Sequence, residues 1–296
     1  MYSNSTTQKT EANRIKHKKN RLKMLKKPSF EIVVIIFVLL FSIPIYLIII
    51  NTFKTHDRIL KAPLSLPDFS VGFQNIVEAF QRMDIVKSYL VTFSISAIAL
   101  VSMIVLSSLA AYAIVRMSGK IFKAAYWVFL SCILMPVQAA FIPLIFILKH
   151  FDLYNNIFGI SLVYIAILSP FCIFMYSGFI RGIPIELEEA AIMEGCSTLR
   201  LFFQIIFPLL KPITATLIIM QFIYIWNDLL LPLVILNGSD YPTVSIGLYK
   251  FFGSKGNVDL NLLFGGIALV LLPVVTVFLF LQKYLIKGLA SGSIKG

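Results

Sequence analysis

The chain has 296 residues, 58% of them hydrophobic and 14% charged, with a formal net charge of +12. A soluble domain is about a quarter charged, so there are too few polar side chains to cover a water-facing surface; a mean hydropathy of +0.88 agrees. This balance excludes a disordered chain and an ordinary soluble enzyme. Cys132, Cys172 and Cys196 are widely spaced, fit no metal-ligand pattern and indicate no disulfide framework.

The positive charge is concentrated at one end. Residues 1–27 carry nine Lys or Arg against one acid, Glu11. The block stops where an uncharged apolar run begins, an arrangement that orients a membrane segment. Nucleic acid is therefore not an expected partner.

Six apolar runs follow, at residues 32–50, 88–115, 124–148, 153–180, 213–236 and 260–282, all uncharged except the weaker fifth, which Asp228 breaks. The shortest reaches about 28 Å as a helix, close to the thickness of a hydrocarbon core. Barrel strands would be about ten residues long and strictly alternating; these runs are twice that and do not alternate, so each is expected to be a helix. Pro44, Pro136, Pro143 and Pro170 are expected to kink the helices that contain them. With six crossings both termini lie on one side. The segments 1–31, 116–123, 181–212 and 283–296 hold 18 Lys or Arg, the intervening ones 8, so the first set and both termini are expected to be cytoplasmic. Residues 51–87 then form an outer loop, irregular around Pro63, Pro67 and Phe69, with a short amphipathic stretch at 73–80. No inverted internal repeat is visible. The expected organisation is a basic tail at 1–31, a six-span domain at 32–286 and a flexible, Gly- and Ser-rich tail at 287–296.

Segment 181–212 is longer than a connection needs. Pro184 suits the start of a helix, and Glu186, Glu188 and Glu189 suit its positive N-terminal end. Gly195 is placed to stop it in a left-handed turn. Ser197 is placed to cap a second helix at 199–207, which Pro208 ends. The first helix shows small alanines beside carboxylates, which fits either a knob for a cytoplasmic partner or a solvated tether between spans four and five.

The spacing Glu189-Ala190-Ala191, three residues, Gly195, nine residues, Ile205, one residue, Phe207-Pro208 resembles the cytoplasmic EAA signature of binding-protein-dependent ABC importer permeases. That family usually has Leu before the final Pro and Asp before the Gly; this chain has Phe207 and Glu194, which keep the character of each position. Residues 88–116 (SYLVTFSISAIALVSMIVLSSLAAYAIVR) and 135–149 (MPVQAAFIPLIFILK) look like the family's second and third spans. Residues 226–233 (WNDLLLPL) look like a fifth-span motif of its carbohydrate members, and 282–296 (QKYLIKGLASGSIKG) resemble the tail of the maltose-type second permease subunit.

The resemblance implies an all-α polytopic membrane protein with six transmembrane helices and a cytoplasmic coupling-helix loop between spans four and five. It implies a permease subunit of a carbohydrate ABC importer in the bacterial cytoplasmic membrane. Its expected partners are a second homologous permease subunit, two ATP-binding subunits or a homodimeric ATPase, an extracytoplasmic solute-binding protein and the carbohydrate. The coupling residues it implies are Glu186, Glu189, Ala190, Ala191, Gly195 and Pro208. ATP and magnesium would be used by the partner ATPase, with no cofactor bound by this chain. No phosphate-binding loop is present, since Gly119-Lys120 is followed by Ile121. His17, His56 and His150 form no ligand pattern, so no catalytic or metal site is expected.

Inside the spans, Asp228 is the one interrupting charge. Trp226, Asn227 and Asp228 fit two readings: bracketing a sugar ring, or bracing the bundle. Gln221 and Gln138 either line the same pathway or bond between helices. Two other function classes would leave different marks. An ion- or proton-coupled carrier calls for several buried acids and a repeat; a membrane-embedded enzyme calls for clustered His, Asp or Ser.

Overall fold

The computed structural model describes residues 31–67, 71–238, 240–253 and 258–292. The basic block at 1–27, Phe69 and the last four residues lie outside the described residues. By internal contacts the chain divides into two units, Met1–Val71 and Gly72–Gly296.

In the first unit, helix α1 (Glu31–Thr52) is apolar on all sides, and none of its most apolar stretch is buried inside the protein. That is the surface expected of a helix surrounded by lipid. Pro44 lies within it without ending it. A short helix α2 (His56–Lys61) follows. Lys54, fully buried, ties the connection together: its Nζ donates to Asn51 Oδ1 at 3.0 Å and to the carbonyls of Ala62 at 3.1 Å and Pro63 at 3.0 Å. Burial, with the charge of Arg58 adding repulsion, lowers its pKa from the ordinary lysine value.

The second unit contains α3 (Gln74–Arg82), α4 (Ile85–Arg116), α5 (Lys120–Ile133), a 3-10 turn (Val137–Ala140), α6 (Phe141–His150) and α7 (Ile157–Ile180). After these come α8 (Glu186–Met193), α9 (Thr198–Leu201), a π-helical turn (Phe202–Ile206), α10 (Phe207–Leu209), α11 (Lys211–Asn227), α12 (Leu230–Ile235), α13 (Val244–Tyr249) and α14 (Leu260–Gly292). Helices α4 and α7 form the central pair. Their buried faces carry Ala99, Ser107, Ser108 and Ala111 on one side and Ser161 and Ser177 on the other. Small side chains let two helices approach closely where no water is present to drive them together. Tyr164, Tyr176, Met103, Ile95 and Trp226 fill the space around them.

Helices α1, α4, α7 and the Leu260–Phe280 part of α14 are each long and apolar enough to cross a membrane. Helices α5 and α6 are bent by 97° at a break, and the Thr198–Leu209 stretch meets α11 at 72°. Counting each bent pair as one crossing gives six.

Several local features differ from the sequence expectation. The run at 124–148 breaks at Pro136 by nearly a right angle rather than kinking. Pro136 supplies no N–H and pushes the preceding residue out of the helical region. Helix α7 starts at Ile157 instead of 153, because Asp152 and Asn155 take positive φ of 55° and 56°. Asn156 caps it by accepting from the Phe158 N–H at 2.8 Å. Leu153 O folds so close over Gly159 that a Cβ there would collide with it. Ser197 makes no side-chain cap bond. Pro208 does not end the second loop helix: the π turn, in which the Phe207 N–H reaches Phe202 O, widens the backbone just before it. The last helix continues to Gly292, past the expected end at 282; extension of a formed helix costs little where no proline intervenes.

Candidate functional site

The loop between α7 and α11 is built on α8. Pro184 precedes its first turn, and Ile185 O accepts from the N–H groups of Glu188 and Glu189. At its other end Gly195 has φ +81°. The Gly195 N–H donates to Ile192 O at 2.9 Å and the Cys196 N–H to Ala191 O at 3.0 Å. These two bonds make a Schellman turn, for which a left-handed residue is required.

The helix has two faces. Glu186, Glu189 and Ala190 are exposed and Ala191 is half-buried. Beside them Leu187, Ile192 and Met193 are exposed, as are Ile185 just before the helix and Leu199 in the first turn of α9. Lone exposed apolar residues are ordinary, but a cluster framed by carboxylates on a helix of eight residues is a surface suited to a partner. Pro208 is half-buried at the far end of the loop, in α10.

The opposite face is held by Glu188, which is 4% exposed. Its Oε1 accepts from Arg116 Nε at 2.6 Å and its Oε2 from the Tyr112 hydroxyl at 2.8 Å. Arg116 Nη2 also donates to the carbonyls of Ile183 at 2.9 Å and Ile180 at 3.3 Å. Three segments therefore meet at one charge pair: the last residue of α4, the carbonyls at and just after the C-terminus of α7, and the first turn of α8. Every polar atom of the carboxylate is used, which such burial requires. Removing one partner from a pair this buried costs about 3–5 kcal/mol.

The candidate pathway residues separate. Trp226 is fully buried in an aromatic cluster, with ring centroids 5.8 Å from Tyr89, 5.1 Å from Phe93 and 5.3 Å from Phe222. Its indole is covered on these sides by the three rings. Asp228 lies at the α11–α12 break: Oδ2 accepts from the Tyr164 hydroxyl at 2.9 Å, and Oδ1 from the Leu230 N–H at 3.0 Å. It braces α7 against α11 and caps α12. Asn227 is exposed and donates to Ile223 O at 2.9 Å. Gln221 is buried beside Cys172, with Nε2 3.8 Å from Sγ, whereas Gln138 is exposed in the turn at the α5–α6 break. These five residues are not brought to one surface. A cleft of about 310 Å³ lies instead at the opposite end of α4 from Arg116, lined by Asp84, Lys87, Asn237, Asp240, Tyr241 and Lys250 among others. Among the described residues no three His, Cys, Asp or Glu side chains group as a metal site.

Residues 103–291 match the family described as the binding-protein-dependent transport system inner membrane component. The chain belongs to this family. It is 35% identical over 255 residues to the melibiose/raffinose/stachyose import permease protein MelC of Bacillus subtilis (strain 168), covering 86% of this chain and 91% of that one. It is 32% identical over 261 residues to the probable starch degradation products transport system permease protein AmyC of Thermoanaerobacterium thermosulfurigenes, covering 88% and 94%. In structure it is similar to a chain of a bacterial ABC transporter involved in the import of the acidic polysaccharide alginate. The TM-score is 0.71 at 19% identity, covering 96% of this chain and 99% of the other, a likeness of fold. The molecule is thus a multi-pass inner membrane component, nearly all-helical among the described residues.

For this inner membrane component the sequence pointed to the exposed side of α8 and missed what holds it. Arg116 entered only as a charge near a span end, and Glu188 only as an acid near a helix start. The available signal was a basic residue closing one span and an acid opening a loop helix, each needing a partner if buried. Tyr164, which engages Asp228, carried no signal at all.

Proposed function

We propose that the chain is the non-catalytic permease subunit of an ATP-driven importer of a sugar or oligosaccharide. In this reading a separate ATPase, using ATP and magnesium, seats α8 in a surface cleft. A second permease subunit completes the pathway and an extracytoplasmic binding protein delivers the carbohydrate. Both termini and the α8 loop face the cytoplasm, in keeping with the 18 to 8 division of Lys and Arg. The observation that carries the reading is the division of α8 into a pinned face, Glu188, and a free face of Glu189, Ala190, Ile192 and Met193. The relatives whose names specify sugars, matched over most of their length, support the substrate class.

ATP binding draws the ATPase subunits together, and the loop helices seated on them move with them. Only interactions that differ between two states shift the balance between them, so the contact must be firm on both sides. The test is purification of the tagged chain from its own host, followed by uptake of labelled melibiose, raffinose and maltotriose in a deletion strain. An ATPase in the purified complex and loss of uptake of at least one sugar are expected. A chain that purifies without an ATPase, with all three sugars still entering, overturns the reading.

A further inference from the structure

We propose that Arg116, Tyr112 and Glu188 form the joint through which movement of α8 is passed to α4, and through α4 to the far side of the membrane. The inference rests on the importer reading and adds to it the route and the positioning residues. Glu188 is the one α8 side chain that is buried, and it is fixed from two directions by Arg116 and Tyr112, one helical turn apart on α4. An apolar contact could slide; a carboxylate held at both oxygens by a guanidinium and a hydroxyl fixes distance and direction. The second nitrogen of Arg116, on the Ile180 and Ile183 carbonyls, sets the guanidinium plane against the end of α7.

Helix α4 has 32 residues and spans about 48 Å, enough to carry displacement across the bilayer. Its first turns are also pinned by polar bonds. Thr92 Oγ1 accepts from the Val244 N–H at 3.1 Å, and the Tyr89 hydroxyl donates to Leu269 O at 2.7 Å. The start of α4 thus grips α13 and α14, and its end grips α8. The cleft bounded by Asp84 and Lys87 sits at the start of this rod, so a shift of α4 reshapes it.

The test uses the full complex purified through a tag on this chain, in a background with the native cysteines replaced. A fluorescent thiol label at Lys87→Cys, an exposed position, reports the start of α4. The response is the change in emission when ATP and vanadate trap the closed ATPase. In the parent a response is expected. Arg116→Gln and Glu188→Gln each leave an unpaired buried charge, and each is expected to cut the response per complex at least fivefold with the ATPase still bound. The double variant restores a neutral amide pair and is expected to recover most of it. Tyr112→Phe, which loses one hydroxyl, gives a partial loss and decides the matter if a single charge variant fails to accumulate. Single variants that keep the full response per bound complex, even at lower abundance, overturn the proposal, as does an unresponsive label in the parent. Absence of the ATPase from the parent complex overturns the importer reading instead.

Discussion

Replacing Gly195 isolates the turn that ends α8. A Cβ at this position meets no atom within 4 Å, and the backbone has φ +81°. The entire cost of a substitution is therefore conformational. An L-residue in the left-handed region costs about 1–2 kcal/mol, which shifts the equilibrium between formed and lost turn by about 5- to 30-fold. Losing the turn removes the two bonds from the Gly195 and Cys196 N–H groups to Ile192 and Ala191. Helix α8 has eight residues and is too short to hold its shape by propensity alone, so its free face loses register. Asn adopts the left-handed region more readily than other residues, while a β-branched residue there is an outlier. The expected order of sugar uptake, normalised to the chain in the membrane, is Gly above Asn, Asn above Ala and Ala above Val, with Val at a tenth of the parent or less. Immunoblots of membranes and co-purification of the ATPase separate coupling from expression. A flat series, with Gly195→Val transporting at the parental rate while bound to the ATPase, would refute the role given to this turn.

Three further outcomes are expected. Glu189→Lys, on the exposed face of α8, should reduce the ATPase co-purified with the chain severalfold without lowering the chain in the membrane; full retention argues against this face as the docking surface. In a background lacking the native cysteines, Ser65→Cys should react with an impermeant thiol reagent in intact cells and Ser118→Cys only after lysis, and the reverse pattern inverts the proposed orientation. Asp228→Asn keeps an acceptor for the Leu230 N–H and a group that bonds the Tyr164 hydroxyl, so uptake within about twofold of the parent is expected from a bracing role. Asp228→Leu leaves that hydroxyl unpaired, costing about 1–3 kcal/mol, and should lower the folded chain in the membrane. An inactive but abundant Asp228→Asn chain would point to proton- or ion-coupled transport.

What the sequence revealed and what it hid follow from the range of the signals. Hydropathy is summed over a window of about twenty residues, so the run at 88–115 lies inside α4 and that at 260–282 inside α14 with errors only at the ends. The bounds of α8 were legible because Pro184, the three glutamates and Gly195 act within a turn of where they stand. The right-angle break at Pro136 was marked but not its size, because a kink and a break begin with the same missing N–H. Burial of Trp226 was not legible, since WND reads the same whether Tyr89 and Phe93 cover the indole or a solute does. The Arg116–Glu188 pair joins residues 72 positions apart, and nothing local in either segment names the other.

The placement of polar bonds along α4 bears on how it could move. At its start Tyr89 and Thr92 bond to other helices, and at its end Tyr112 and Arg116 do so. Between them, the buried Ser96 and Ser108 hydroxyls turn back onto carbonyls of their own helix. The Ser107 hydroxyl, and that of Ser177 on α7, have no partner among the described residues. The middle of the α4–α7 interface is thus held chiefly by close packing of small side chains, which sets distance but imposes little direction along the axis. A helix with strong directional bonds at its ends, and in its middle only the weak bond from the Cys172 Sγ–H to Met103 Sδ at 3.5 Å, resists being pulled away from its neighbours more than it resists sliding along them. On the proposed coupling, force applied at Glu188 would meet least resistance along the α4 axis, toward Tyr89 and Thr92, which is the direction a coupling loop on one face of a membrane needs in order to act on the other.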